Sequence, residues 1–348
     1  MSLSRLRILV TALGGDLGQA LVKALRLSRS SLEIHGCDVE PSSTGSAFVD
    51  SYHTVPLASD TANYLDTLDS LCQSQQIQAV LPASEPEITV LSRLGSSFKL
   101  RHGTVIVCQP AEWIEKYGDK LYCLQALDGK MELDPFADGS NKEAINLLIA
   151  KTGFPVVVKS RRSSGSRTLH IAYTQEQLAY YLSETPLPLL QGYIDAGEGE
   201  FSAGVFASGE FSTVIAFRRE LGFGGSSSFA ETADDEDVLH YVKRIADATE
   251  LHGSANVQVR KSSAGVRLLE INPRFSSLAA ARALCGFRDV EWSVNLALGI
   301  KLSPPAATYK HIRFRRFLHE MVDSGNGFYT IAEWCPRQSS ISKIEPNK

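Results

Sequence analysis

The chain has 348 residues and a formal net charge of −4, with 43% hydrophobic and 21% charged residues. This composition is that of an ordinary globular protein with two or three domains. Nucleic-acid-binding proteins usually carry a basic excess or a basic stripe, so we expect no nucleic-acid partner. Any anion-binding site must therefore be built from local groups.

The cysteines lack the paired spacing of a zinc site or of a disulfide scaffold: Cys37, Cys72, Cys108, Cys123, Cys285 and Cys335. Scattered thiols of this kind favour a reducing compartment, and we expect a cytoplasmic protein. The N-terminus lacks a signal-peptide pattern, and no apolar run is long enough to span a bilayer. We therefore expect no membrane partner.

The first hundred residues alternate strand-like and helix-like patterns. An apolar run at residues 7–12 is followed by a glycine-rich turn and a helical pattern at residues 19–27, and further strand-like runs follow at 32–38, 78–82 and 104–108. Strand, glycine turn and helix are the opening of a doubly wound α/β domain. The pattern predicts a Rossmann-like domain over residues 1–109.

The glycine turn has two interpretations. Gly14, Gly15 and Gly18 are candidates for binding a dinucleotide pyrophosphate, with Asp38 on the ribose. The alternative is that the glycines only let the first turn pack closely. The spacing is G-G-x-x-G rather than G-x-G-x-x-G, which favours the packing role.

A lysine ends the apolar strand predicted at residues 153–159. One continuous helix is predicted before it at residues 111–126, then a loop at 128–141 and a helix at 143–152. Lys159 needs a partner, because an unpaired buried ammonium is costly. The serines and glycine of residues 160–167 suit a loop that closes over phosphates, and the alternative is a plain hairpin loop.

A strand predicted at residues 266–272 carries a carboxylate and an amide on one face. Side chains alternate along a strand, so Glu270 and Asn272 should share a face while Leu269 and Ile271 point to the other. Their oxygens, followed by Arg274, suit Mg²⁺ together with phosphate. A hairpin with residues 254–260 should bring Gln258 next to Glu270. The alternative is an edge strand with a solvated polar face.

Three positions are candidates for substrate contacts. Arg218 and Arg219 end a predicted strand beside the glycine- and serine-rich residues 221–228, which we expect to form a mobile loop. Either arginine could receive a carboxylate, or both could form a solvated strand end. Glu85 follows the carboxyl end of a predicted parallel strand and is a candidate for contacting an amine. His170 is expected to be structural.

Five motifs in this order resemble the ATP-grasp superfamily, and within it the carbamoyl-phosphate-synthase-like branch with its many carboxylate–amine ligases. They are residues 119–120, 154–159 with the following loop, 190–202, 256–258 and 269–274. The resemblance implies an α/β and α+β chain in which the Rossmann-like domain precedes a two-lobed ATP-grasp fold. The small lobe would span residues 110–185, the large lobe 186–303 and a C-terminal extension 304–348.

The resemblance also implies roles for individual residues. Lys159 and Arg274 would be catalytic, with Arg274 stabilising the transferred phosphoryl group. Gln258, Glu270 and Asn272 would hold two Mg²⁺ ions, with Mn²⁺ as an alternative. The implied ATP-binding residues are Lys120, Lys159, Ser164, Gly165, Ser166, Gln191, Gly192, Tyr193, Ile194 and Glu200.

The implied activity is that of an ATP-dependent ligase. It would activate a carboxylate as an acyl phosphate and join it to an amine, releasing ADP and phosphate. Its partners would be ATP and a small acid and amine, and a homodimer is left open. The alternatives are a nucleotide-binding regulatory or degenerate ATP-grasp protein without turnover, and a dinucleotide-dependent oxidoreductase.

Overall fold

The computed structural model describes residues 5–28, 31–94, 99–162, 169–195, 197–222, 225–303, 309–316, 321–323 and 328–330. The strands are β1 (Leu6–Val10), β2 (Leu32–Asp38), β3 (Ser51–Thr54), β4 (Ala79–Leu81), β5 (Val105–Ile106), β6 (Phe136–Asp138), β7 (Val156–Ser160), β8 (Leu169–Ala172), β9 (Pro188–Gly192), β10 (Gly199–Ala207), β11 (Ser212–Leu221), β12 (Ser227–Thr232), β13 (Gly253–Ser262), β14 (Gly265–Asn272), β15 (Arg313–Arg315), β16 (Met321–Asp323) and β17 (Phe328–Thr330). The helices are α1 (Asp16–Arg26), α2 (Thr61–Ser74), α3 (Glu85–Leu91), α4 (Ala111–Gly118), α5 (Lys120–Leu127), α6 (Lys142–Thr152), α7 (Gln175–Glu184), α8 (Glu236–Ala248), α9 (Ala279–Cys285) and α10 (Asp289–Ala297). None of the helices in these ranges is both long and apolar enough to cross a membrane.

The first sheet is parallel, with the strand order β3-β2-β1-β4-β5. It is buried on both faces, because Ile8 and Val10 pack into one core with α1, α9 and α10, while Leu9 packs into another with α2. A sheet covered on both faces by helices is a doubly wound α/β arrangement. The predicted Rossmann-like architecture is confirmed.

The glycine turn after β1 is filled by the protein's own groups. The Gly14 N–H donates to the Asp38 carboxylate at 2.6 Å, and the Val39 N–H donates to the same side chain at 2.7 Å. A Cβ added at Gly18 would lie 2.5 Å from the Ala12 carbonyl oxygen. These contacts support the packing role of the turn, because the glycines permit close approach and the carboxylate closes the turn.

The helix predicted at residues 111–126 is broken into α4 and α5, so its prediction as one helix is wrong. Asp119 separates the two helices, and its carboxylate accepts hydrogen bonds from the Leu121 and Tyr122 N–H groups at 3.0 and 3.3 Å. A side chain that accepts from these donors forms an N-cap, which competes with helix continuation. The loop predicted at residues 128–141 likewise contains the short strand β6.

A four-stranded antiparallel sheet has the order β6-β9-β7-β8. Its core is formed by buried aliphatic side chains that α6 and α7 cover, among them Val156, Val158, Leu148 and Leu178. The strand predicted at residues 153–159 is confirmed as β7, which begins at Val156 and continues to Ser160. Its hairpin loop, residues 163–168, lies outside the described residues.

A six-stranded antiparallel sheet has the order β14-β13-β10-β11-β12-β15. The helices α5 and α8 cover the core on one face, and α9 contributes to the core on the other. The loop expected at residues 221–228 ends where β12 begins, at Ser227, and residues 223–224 lie outside the described part. β15 adds a strand from the predicted C-terminal extension to this sheet.

Candidate active site

A β-bulge in β14 shapes the centre of the site. Gln258 pairs with Glu270 and Val259 pairs with Leu268, so Leu269 is an extra residue without a partner in the ladder. Leu269 and Glu270 both line one cavity, whereas Leu268 and Ile271 lie in the hydrophobic core. The predicted orientation of Leu269, opposite to Glu270, is therefore wrong. Strict alternation requires an unbroken ladder, and a bulge inserts one residue.

The bulge provides a polar partner for Lys159. The Lys159 ammonium donates to the Leu269 carbonyl oxygen at 2.9 Å, and the residue is only 7% exposed. Burial lowers the pKa of Lys159 to about 8, although the nearby Glu270 carboxylate favours the charged form. Lys159, the second-last residue of β7 in the four-stranded sheet, therefore reaches the edge strand β14 of the six-stranded sheet.

Glu270 lies among cationic and amide groups. The Lys120 ammonium is 3.1 Å from Oε2 of Glu270, and the Asn272 amide donates to Oε1 at 3.0 Å. Burial alone would raise the pKa of Glu270, but Lys120, Asn272 and Lys159 outweigh it and hold the pKa below its usual value. Glu270 is therefore a largely buried carboxylate, 19% exposed, beside two lysines that favour its ionised form.

Arg219 joins two residues that the sequence assigned to different tasks. Its guanidinium donates to the Glu200 carboxylate and to the Gln258 side-chain oxygen, each at 2.6 Å. Arg260 donates to the other Glu200 oxygen at 2.8 Å. Burial would raise the pKa of Glu200, but the two arginines outweigh burial and lower it. Glu200 is therefore an ionised carboxylate that is already paired with two arginines.

The substrate candidate Arg218 does not lie with these groups. Arg218 is exposed, while Arg219 lines the cavity that contains Glu270. Neighbouring residues on a strand point to opposite faces, so only one of the two arginines can enter the site. The alternation alone does not determine whether Arg218 or Arg219 enters the site. The pairing of β11 with β10 decides between them.

The first cavity has a volume of about 390 Å³ and lies between the four-stranded and six-stranded sheets. Its lining includes the apolar side chains Val157, Ile171 and Leu269 and the segment Gln191, Gly192, Tyr193 and Ile194. The charged side chains Lys120, Lys159 and Glu270 also line it. An apolar lining together with ammonium groups suits a planar ring system linked to phosphates.

A second cavity of about 370 Å³ meets the first at Arg219, Gly225, Gln258 and Glu270. It brings together the predicted residues Glu85 and Arg274, whose charged groups are 3.5 Å apart although 189 residues separate them. Glu85 begins α3 of the first domain, and Arg274 follows β14. A molecule in the second cavity would therefore face the same Glu270 that borders the first.

The predicted metal ligands are neighbours in the structure. Gln258 lies directly across from Glu270, and Asn272 contacts Glu270. Within the described ranges, no group of three or more His, Cys, Asp or Glu residues could hold a metal ion. One carboxylate with two amides is nevertheless a hard oxygen set, which fits Mg²⁺ when phosphates supply further ligands.

The predicted phosphate-loop residues Ser164, Gly165 and Ser166 lie outside the described residues. The remaining predicted nucleotide residues all border the first cavity. The sequence did not indicate Arg260 or the Leu269 carbonyl as functional, and it offered Arg219 only as one of two candidates for a substrate carboxylate. The Leu269 carbonyl has no signal in the side-chain pattern, because only the packing of the two sheets brings a lysine to this edge strand.

Two family models match the chain. Residues 8–107 match "PylC-like, N-terminal domain", and residues 187–318 match "ATP-grasp in the biosynthetic pathway with Ter operon". Among curated relatives, the carbamoyl phosphate synthase large chain of Clostridium perfringens is 28% identical over 170 residues, covering 44% of this chain and 16% of the relative. The C-terminal section of that large chain from Aquifex aeolicus is 24% identical over 226 residues, covering 58% of this chain and 42% of the relative.

Solved structures share the fold at low sequence identity. The N5-carboxyaminoimidazole synthetase from Staphylococcus aureus, complexed with ADP, has a TM-score of 0.69 at 16% identity, covering 90% of this chain and 82% of that one. The biotin carboxylase from Campylobacter jejuni in a β,γ-ATP complex also has a TM-score of 0.69, at 12% identity, covering 86% and 72%. These likenesses confirm the predicted ATP-grasp fold behind a Rossmann-like domain. Residues 187–318 thus match an ATP-grasp family model, and the chain is similar to part of the carbamoyl phosphate synthase large chain.

Proposed function

We propose that the protein is an ATP-dependent ligase that activates a carboxylate as an acyl phosphate and joins it to an amine. The observation that carries the proposal is the position of Glu270 on the border of both cavities, beside Lys120 and Lys159. One cavity suits a nucleotide and the other suits a small polar molecule. A phosphoryl group at the border can pass between them without a covalent enzyme intermediate.

In this proposal ATP occupies the first cavity. The purine lies against Val157, Ile171 and the segment 191–194, and Glu200 accepts from the ribose hydroxyls. Lys120 and Lys159 bind the phosphates. Charge-assisted contacts in a site with little water are strong, so these lysines both bind the phosphates and offset the charge that develops during transfer.

Gln258, Glu270 and Asn272 would hold Mg²⁺, which supplies charge neutralisation and in-line orientation of the phosphates when bound. For Gln258, this requires the Arg219 hydrogen bond to be shared or moved, because Arg219 donates to its side-chain oxygen. Asn272 already turns its amide nitrogen to Glu270, which leaves its oxygen available. The present residues therefore fit the ion.

The reaction begins when a carboxylate oxygen in the second cavity attacks the γ-phosphorus, and ADP leaves with the electrons of the broken phosphorus–oxygen bond. Arg274 faces the new acyl phosphate from the second cavity and stabilises its negative charge. The amine nitrogen then attacks the acyl carbon and loses a proton, and phosphate leaves. Exclusion of water from the two cavities protects the acyl phosphate from hydrolysis.

ADP release with individual carboxylates, Mg²⁺-ATP and hydroxylamine tests the proposal, because hydroxylamine traps an acyl phosphate as a hydroxamate without knowledge of the natural amine. The acid panel includes simple monocarboxylates, dicarboxylates, keto acids and amino acids. We expect Glu270→Gln to reduce the rate by roughly 100-fold or more, on the scale of losing one charge-stabilising group. Glu210→Gln, at an exposed turn of the same sheet, is the control.

ATP binding without ADP release for every acid in the panel would contradict the ligase function and would favour a nucleotide-binding protein without turnover. Full activity of the Glu270→Gln variant would contradict the assignment of the site. Circular dichroism and thermal unfolding of each variant establish that the fold is retained.

A further inference from the structure

The second cavity has walls of opposite charge. Its N-terminal wall, formed by described residues of the first domain, carries two charged side chains, the carboxylates Asp16 and Glu85. Its other wall carries the guanidinium groups of Arg219 and Arg274 beside Glu270. A cavity of about 370 Å³ lies in the range of small-molecule sites, roughly 300–1,000 Å³. The charge pattern therefore suits a small molecule with a cationic and an anionic end.

Asn256 adds a fixed hydrogen-bond donor to the second wall. Its side-chain oxygen accepts from the Ser202 hydroxyl at 2.9 Å and from the buried guanidinium of Arg282. A guanidinium has only donors, so the atom that it contacts must be the amide oxygen. The amide nitrogen therefore faces the other way. Asn256 is only 2% exposed and lines the second cavity, and no hydrogen bond among the described residues uses this nitrogen as donor.

The opposite charges are adjacent. The Arg274 guanidinium and the Glu85 carboxylate are 3.5 Å apart, and Glu85 is about half exposed. An exposed ion pair at this distance contributes little stability, so a ligand can replace it at small cost. Asp16 is also about half exposed and lies 3.2 Å from Arg316. An α-amino acid carries its ammonium and its carboxylate on one carbon, which matches recognition groups that are themselves neighbours.

We propose that the second cavity binds an α-amino acid as the carboxylate substrate, with its ammonium between Asp16 and Glu85 and its carboxylate facing Asn256 and Arg274. The inference rests on the proposed function and specifies its acid. The ammonium is a recognition group, and the carboxylate is the group that becomes phosphorylated, because it lies on the Glu270 side of the cavity. The amine substrate is a separate molecule that enters after the acyl phosphate forms.

The hydroxamate assay tests this inference with matched pairs of acids that differ only in the amino group: alanine against propionate, leucine against isocaproate, and glutamate against glutarate. All standard L- and D-amino acids are assayed individually. The amino acid's carboxylate oxygen attacks the γ-phosphorus and ADP leaves. The hydroxylamine nitrogen then attacks the acyl carbon, phosphate leaves with the electrons of the carbon–oxygen bond, and the nitrogen loses a proton.

We expect at least one amino acid to give a kcat/KM about tenfold or more above that of its deaminated partner, as for the loss of one charged hydrogen bond. Asp16→Asn and Glu85→Gln should each bring that ratio toward one, mainly by raising the KM of the amino acid. Asp66→Asn, an exposed carboxylate on α2 of the same domain, should leave the ratio unchanged.

Three outcomes would overturn the inference. Deaminated acids that react as well as every amino acid would show that the ammonium is not recognised. An unchanged ratio in both Asp16→Asn and Glu85→Gln would place the ammonium elsewhere. Hydroxamate from other carboxylates but from no amino acid would reject the amino-acid substrate while keeping the proposed function. No hydroxamate from any acid would contradict the proposed function itself.

Discussion

The Lys159 ammonium donates to the Leu269 backbone carbonyl at 2.9 Å, which links two strands that are 110 residues apart in the chain. Leu269 is the extra residue of the bulge in β14, which is an edge strand of the six-stranded sheet, so its carbonyl is open to a side chain. Lys159 thereby stays buried next to Glu270 with a neutral partner. The ammonium is positioned for an anionic ligand and is not already neutralised by a direct carboxylate contact.

Replacement of Lys159 by Met is expected to weaken nucleotide binding strongly and to leave the fold intact. Met keeps most of the length of the side chain and removes a buried charge whose desolvation is costly, so the thermal midpoint should stay equal or rise. Calorimetric titration with a non-hydrolysable ATP analogue should show at least a roughly 100-fold weaker Kd. Lys151→Met, on the exposed side of α6, should bind as the parent does. If the Lys159→Met variant kept the parent's affinity, the assignment of Lys159 to phosphate binding would be wrong.

The neighbouring arginines of β11 offer a matched pair of substitutions. Arg219→Lys removes the guanidinium that joins Glu200 to Gln258, and a lysine cannot reproduce contacts to both side chains. We expect it to raise the KM for ATP and to lower stability by about 1–3 kcal/mol, because Glu200 loses part of its pairing in a mostly buried site. Arg218 is exposed, so Arg218→Lys should change neither the KM for ATP nor the stability. Steady-state kinetics and thermal unfolding of the two variants measure the difference, and equal effects would contradict the assignment of Arg219 to the site.

Asp119 should make the stability of the protein depend on pH in the acidic range. Burial alone would raise the pKa of the Asp119 carboxyl, but Arg161 and Arg162 outweigh it and hold the pKa below its usual value. A carboxyl with a lower pKa in the folded state stabilises the protein above its unfolded pKa, which is about 3.9. That stabilisation is lost as the pH falls through the folded pKa.

Asp119→Asn tests this dependence, because Asn retains the N-cap of α5 and removes the charge. At neutral pH the variant should unfold at a lower temperature than the parent. The difference in thermal midpoint should stay constant from neutral pH to about pH 5 and shrink below about pH 4. Asp119→Ala, which also removes the cap, should lose about 1 kcal/mol more at every pH. If the difference in thermal midpoint between the parent and Asp119→Asn grew as the pH fell, the pKa of Asp119 could not be lowered in the folded state.

Gly18→Ala tests the packing role of the glycine turn. The added Cβ would lie 2.5 Å from the Ala12 carbonyl oxygen, so the backbone must shift, and we expect a loss of about 1–3 kcal/mol in unfolding free energy. At Gly15 the nearest atom would be 3.4 Å away, and Gly15→Ala should have a smaller effect. NAD(P) should not raise the thermal midpoint of the parent protein. A clear stabilisation by NAD(P) would favour the dinucleotide interpretation.

The chain's local patterns were enough to predict the first domain and the order of the ATP-grasp motifs. A buried parallel strand is apolar throughout, and a glycine turn before a helix marks the start of a doubly wound domain, so β1, α1 and β2 can be recognised without their neighbours. The hairpin that brings Gln258 opposite Glu270 is also local, because a short turn joins its strands.

Tertiary structure decided the features that depend on strand register and on contacts between distant segments. The bulge at Leu269 arises from the pairing of β14 with β13, and it overrides the alternation that placed Leu269 on the far side. The choice of Arg219 over Arg218 follows from how β11 lies beside β10. The meeting of Glu85 with Arg274 requires the first domain to pack against the six-stranded sheet. Side-chain periodicity determines which residues can share a face, whereas only the packing of whole sheets determines which faces meet.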